Sequence, residues 1–160
     1  MARNTARWFL LCMLLVFSAA ANDPSPEELM NGGHWKRLRG AVEPRVKANP
    51  NDAPAAYFLS NVRQAYNDID GAFALAEKAV ALDGKNGDYR CQLAETYGQR
   101  AEKAGIFSQL GLARKFKKEA EAAIALDPKN IDCRIGLMEF HLRAPRIAGG
   151  DRKMADVMVE

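Results

Sequence analysis

The chain has 160 residues, 48% apolar and 27% charged, which is the length of about one domain and the balance of an ordinary globular protein. That excludes collagen-like, low-complexity and polytopic membrane classes, and three cysteines are too few for a disulfide miniprotein. Twenty-three basic and 20 acidic residues give +3, or +1 once Arg3 and Arg7 are set aside with the leader described next, so no basic footprint points to nucleic acid.

Residues 1–21 read as a signal peptide. A positive stretch with Arg3 and Arg7 precedes the apolar run Trp8–Phe17, and Ser18-Ala19-Ala20-Ala21 supplies a small-residue site. Cleavage is expected after Ala21, which implies a periplasmic or extracellular protein. The run is short for a bilayer span. An uncleaved anchor is the alternative, and it is the only route by which a membrane would be a partner. Cys12 falls in the apolar run and is discarded with it. Cys91 and Cys133 remain. An even number permits one disulfide. The reading favours two buried free thiols, because the repeat positions do not set the two side chains facing each other.

Residues 25–50 suggest a short helix Pro26–Met30, a Gly32-Gly33 turn, and a second helix with Trp35, Leu38 and Val42 on one face, kinked or shortened at Pro44. Two amphipathic helices follow, over 53–67 and 70–83. Asp52 and Asp70 suit their N-caps. Ala72, Ala76 and Ala79 form a small-residue stripe on the second, and Asp83-Gly84 ends it through a left-handed glycine. The pattern then returns. Glu77–Asn86 recurs as Glu121–Asn130, and Arg90, Leu93 and Glu95 recur as Arg134, Leu137 and Glu139, each 44 residues on. Leu59 precedes Leu93 by 34 residues. Phe116, Ala120 and Ala123 repeat the stripe, and Asp127-Pro128 stops that helix.

The longer interval carries ten extra residues near 101–110. They predict a lengthened antiparallel pair turning at Gly105, with Ile106, Phe107, Leu110 and Leu112 packed between the extensions. Ala144–Gly150 is a loop by composition. Only Asp151–Glu160 remains for a last helix, whose Met154, Val157 and Met158 are expected to face nothing unless a partner, a second copy or further chain covers them.

A helix-turn-helix unit with a 34-residue interval, paired Leu and small residues in its first helix, a small-residue stripe in its second and a closing Leu-Asp-Pro-Lys-Asn resembles the tetratricopeptide repeat family. The motif positions are Leu59, Ser60, Ala72, Ala76, Ala79 and Gly84 in one unit. In the next they are Leu93, Ala94, Tyr97, Phe116, Ala120, Ala123 and Pro128, and a third starts with Leu137, Met138 and His141. The resemblance implies an all-α solenoid of antiparallel helix pairs in a right-handed superhelix. It divides the chain into a degenerate leading pair at 22–52, repeats at 53–86 and 87–130, and a partial, irregular third at 131–160. It also implies a non-catalytic scaffold that holds a protein or peptide partner in a concave groove lined by the first helix of each pair. The groove positions fall on Tyr57, Asn61 and Gln64, on Asp88, Glu95 and Gln99 with Cys91 beside them, and on Asp132, Ile135, Glu139, Leu142 and Arg143. The carboxylate clamp of the chaperone-binding members is not expected. Asn61 matches one of its positions, but Tyr57, Gln92, Asp132 and Gly136 occupy the others.

No catalytic constellation emerges. His34 and His141 lie on separate units, and no CxxC, HExxH or Walker spacing is present. No metal site and no cofactor are expected. His141 reads as packing or groove lining, and Arg114–Lys118 as a solvated outer face. Self-association through 151–160 is the second reading, and a small hydrolase on a helical scaffold the minority one.

Overall fold

The structure is a computed structural model, described here over residues 23–158. The leader 1–21 and its cleavage point after Ala21 lie outside the described residues. The described residues form eight α-helices and one 3-10 turn, with no strand among them. They are α1 (Pro26–Asn31), α2 (Trp35–Ala48), α3 (Ala53–Ala65), α4 (Ile69–Leu82), α5 (Gly87–Lys103), α6 (Ile106–Leu126), α7 (Ile131–Arg143) and α8 (Arg152–Val157), with the turn at Arg146–Ala148 between the last two.

Short polar side chains start most of these helices. Each accepts a hydrogen bond from one of the four N-terminal N–H groups that a helix leaves unpaired. Ser25 does so for α1, where Glu28 completes a capping box. Asp52 accepts from the Ala55 N–H, Asn86 from those of Asp88 and Tyr89, and Asn130 from that of Cys133. The cap of α4 is Asp68, which accepts from the Gly71 N–H, and not Asp70. The turn closes two residues earlier than expected because Asn67 takes a left-handed φ of 60° and brings Asp68 to the cap position. Gly84 is not left-handed either. Among the described residues only Gly33 and Gly149 are glycines with positive φ. Gly84 is small for a different reason: a Cβ there would come within 3.2 Å of the Val80 carbonyl as the chain leaves α4.

Helix α2 runs four residues past Pro44 to Ala48. Proline removes one helical donor and crowds the carbonyl four residues back. That carbonyl belongs to Gly40, and both residues are exposed, so what the helix gives up there is open to solvent and not buried.

Each helix packs against its neighbours in the chain, as a solenoid requires. Leu29 of α1, Leu38 and Val42 of α2, and Phe58, Leu59 and Val62 of α3 form one buried cluster. Ala56, Ala79 and Tyr89 tie α3, α4 and α5 together. Ala76, Leu93 and Tyr97 form a third cluster, with Phe73, Leu112 and Phe116 against it. A fourth joins α5, α6 and α7 through Cys91, Ala94, Ala120, Ala123, Cys133 and Leu137. The stripes Ala72–Ala76–Ala79 and Ala120–Ala123 are fully buried, and small side chains there let the helices approach closely.

The extra residues lengthen α5 to 17 residues and α6 to 21, against 13 and 14 in the preceding pair, and Gly105 opens α6 after a tight turn. Leu112 packs as expected, and Leu110 is half-buried. Ile106 and Phe107 do not pack between the extensions: they are 82% and 98% exposed. The reason is phase. The stripe Leu112–Phe116–Ala120–Ala123 faces α5, and at about 100° per residue Phe107 falls opposite it and Ile106 on its flank, one turn and more before its first member.

Helix α8 folds back on α7, with Ala155 buried, and Met158 packs against the fourth cluster rather than facing nothing. Met154 and Val157 stay exposed, at 48% and 65%. The return is held by polar contacts. His141, 2% exposed, accepts at Nδ1 from the Asp151 N–H at 3.1 Å. Arg114 donates to the Ile147 carbonyl at 2.9 Å and Lys117 to the Gly149 carbonyl at 3.0 Å. The basic run is thus not a purely solvated face, because two of its cations anchor this turn.

Burial lowers the His141 pKa below 6.5, Lys117 lowers it further, and Glu121 and Asp151 oppose the shift. The folded state therefore binds fewer protons than the unfolded one just below pH 6.5, and stability there is lost as pH falls. Amide exchange in α8 is expected to speed up between pH 7.5 and 5.5, after correction for the intrinsic rate. In His141→Gln that extra pH dependence should vanish, and its persistence would assign the effect to other groups.

Candidate functional site

The first helices of the pairs, α3, α5 and α7, bring part of the expected groove together. Gln64 is the hub. Its Oε1 accepts from Gln92 Nε2 at 2.6 Å, and its Nε2 donates to Glu95 Oε2 at 3.2 Å. Gln92, 3% exposed, also donates to Ser60 Oγ at 3.0 Å, and Ser60 donates to the Ala72 carbonyl at 2.8 Å. This chain of bonds crosses from α4 through α3 to α5 and fixes one unit against the next. Ser60 and Gln92 were not expected as a pair: a small motif residue and a failed clamp position carry no sequence signal for such a contact, since they stand 32 residues apart.

Around this relay the chemistry is one-sided. Burial raises the Glu95 pKa, the Gln64 bond partly offsets the rise, and the nearby Asp132 adds to it. The Tyr57 hydroxyl is pushed up by burial first and then by Asp88 and Glu95, so these groups share one region. Asp88 is exposed and accepts from Asn130 Nδ2 at 2.8 Å. One turn beyond Glu95, the Oε1 of Gln99 is buried with no hydrogen-bond partner among the described residues. The stretch from Gln64 to Asp132 is thus rich in acceptors and poor in cations.

Other expected groove residues are placed differently. Tyr57 is half-buried against Phe58 and Tyr89, each ring centroid 5.1 Å away, so it is part of the core more than a free anchor. Asn61 donates to the Tyr57 carbonyl on its own helix at 3.0 Å. Glu139 and Arg143 are exposed and pair along α7 at 3.9 Å. Ile135 and Leu142, with Ile131, leave an apolar strip on α7, exposed by 46%, 44% and 67%.

A second concavity of about 510 Å³ lies where α4, α5 and the start of α6 meet. The Arg100 guanidinium sits 4.2 Å over Phe73, Lys115 lies over Tyr97, and the two rings meet edge to face at 5.1 Å. Arg100 also reaches Asp70 at 3.4 Å. The lengthened pair makes this hollow by overhanging α4, a consequence that counting extra residues does not reveal.

Among the described residues no three His, Cys, Asp or Glu side chains group as a metal site, and no helix is long and apolar enough to cross a membrane. No protein-family profile matches the chain, and no curated protein matches it. Solved structures do, and they give the fold class: this is a tetratricopeptide-repeat fold, an all-α solenoid of helix pairs. One match is TTC0263, a thermophilic TPR protein of Thermus thermophilus. Its TM-score is 0.70 at 17% identity, over 84% of this chain and 67% of that one.

Proposed function

We propose that the chain is a non-catalytic scaffold, exported by its N-terminal segment, that binds a protein or peptide partner along the face of α3, α5 and α7. The fold supports the coarse role, since repeats of this kind generally serve protein interaction. The observation that carries the finer reading is the run of acceptors Glu95, Gln99 and Asp132 beside a rigid Gln64–Gln92 relay. A buried acceptor without a donor is costly. A partner segment that presents lysine, arginine or amide donors would satisfy it, and the relay would hold the receptor in place so that little ordering is needed on binding.

Selection of displayed peptides on the immobilised chain, followed by nuclear magnetic resonance titration, tests this. Enriched peptides should carry basic residues and shift the signals of Gln64, Glu95 and Gln99. Glu95→Gln should weaken them tenfold or more. The same variant should raise the Tm by about 1–3 °C. The folded pKa of Glu95 is raised, so its charge costs stability as pH rises, and the amide removes that cost. Peptides that shift the hollow at Phe73 and Arg100 instead, or a Glu95→Gln variant that binds equally well, would overturn the assignment.

A second reading has its own observation: the exposed Ile131, Ile135 and Leu142 on α7 and Met154 and Val157 on α8. A second copy of the chain would cover that apolar area. A light-scattering mass twice that of the monomer, returned to monomer by Ile135→Asp, would favour it.

A further inference from the structure

We propose that Cys91 and Cys133 are joined by an intrachain disulfide that staples α5 to α7 and encloses the 41 residues between them. These are the free thiols among the described residues, and both are buried, at 5% and 3% exposure. They occupy non-equivalent positions, the fifth residue of α5 and the third of α7, which is why the repeat pattern does not pair them. The stacking of α7 on α5 and α6 overrides the pattern and sets both in one buried cluster, closed by Ala94, Ala120 and Ala123. The neighbouring Cys133 thiol is the largest cause that raises the Cys91 thiol above its usual range, ahead of burial.

The surroundings favour bond formation over two separate thiols. Alanine neighbours supply no polar side chain. Apart from its neighbour Cys91, the Cys133 thiol makes a long 3.8 Å approach to the Ala120 carbonyl, within α6. A helix carbonyl is already engaged by its own ladder, so losing that approach costs little. Two S–H groups side by side in a dry cluster are weak, poorly satisfied donors, and the disulfide removes both.

The chemistry balances with a disulfide oxidant such as oxidised glutathione. The thiolate of one cysteine attacks the oxidant's S–S bond, giving a mixed disulfide and one released thiol. The second cysteine then displaces the other half, forming the Cys91–Cys133 bond. The two protons and two electrons end on the oxidant as two thiols. Both sulfurs are buried and out of reach of an oxidant in the packed state, so the exchange runs while the chain folds or when α7 opens, and the closed bond is then shielded from reductant.

The test is to equilibrate the full chain in glutathione buffer with the oxidised form in excess, then to measure intact mass and free thiols after denaturation, map the peptides, and record the Tm with and without reductant. The expected results are a peptide pair linked through Cys91 and Cys133, near-complete loss of free thiol from this pair, and a Tm about 5–10 °C lower once reduced. Cys91→Ala and Cys133→Ala, each alone and each a small change in a buried site, should fold and lose the reductant response. A helical chain in which both thiols stay titratable overturns the proposal. So does a bond found only between chains, or a reductant response equal in the parent and the two variants.

Discussion

Leu38→Ala is expected to cost about 3 kcal/mol of stability, read as a lower midpoint in urea unfolding. Leu38 is fully buried, and its cluster draws from three helices: Leu29 of α1, Val42 of α2, and Phe58, Leu59 and Val62 of α3. Truncation removes three carbons and leaves a cavity that the surrounding helices close only in part. The shape of the transition matters as much as its position. One cooperative transition displaced to lower urea would mean that the leading pair is coupled to the repeats through α3. An early separate transition, with the main one unmoved, would mean that it is a loosely docked appendage.

The opposite change, at the opposite kind of site, should also be severe. Ala79→Leu is expected to cost about 2–3 kcal/mol, with reduced helicity on mild heating as its check. Ala79 is fully buried between Ala56 of α3 and Tyr89 of α5, with Leu75 and Val80 alongside. Three added carbons have no space unless α3 and α5 move apart, and that movement would strain the Gln92–Ser60 bond joining the same units. Ala81→Leu, one helical side away and exposed, is the control and should change stability by less than about 0.5 kcal/mol. Equal effects at 79 and 81 would refute the close-approach account of the stripe.

Much of the architecture was legible because it is periodic. The alanine stripes, the turn at Gly105 and the cap at Asp52 follow from local rules that act within one or two helical turns. Where phase accumulates, local reading fails. Ile106 and Phe107 are apolar and near the expected seam, yet they lie off the stripe that Leu112 and Phe116 define. Asp70 is as good a cap by composition as Asp68, and only the left-handed Asn67, which shortens the turn, decides between them. Of the residues expected to line a groove, Gln64 and Glu95 bond to each other with Asp132 nearby, and Asp88 bonds to Asn130, while Tyr57 and Asn61 are drawn into core and helix contacts. The Gln92–Ser60 relay and the Cys91–Cys133 proximity were invisible, since both depend on how far one helix pair slides along the next, and no spacing in the chain records that offset.

The lengthened pair α5–α6 has a consequence for how such an array tolerates change. Its interface with α7 lies along the parts of α5 and α6 nearest Gly87 and Leu126, and its contacts with α4 run on as far as Arg100, while the last turns extend beyond them toward Gly105. Growth at that end adds reach without altering the stacking angle of the neighbouring units. A ledge can therefore be lengthened or trimmed by whole turns, carrying Phe107 outward or back, while Arg100 stays on Phe73 and Asp70 of α4 and the polar face on α3, α5 and α7 keeps its spacing. One surface of the molecule is free to vary in size, and the other is held to a fixed ruler.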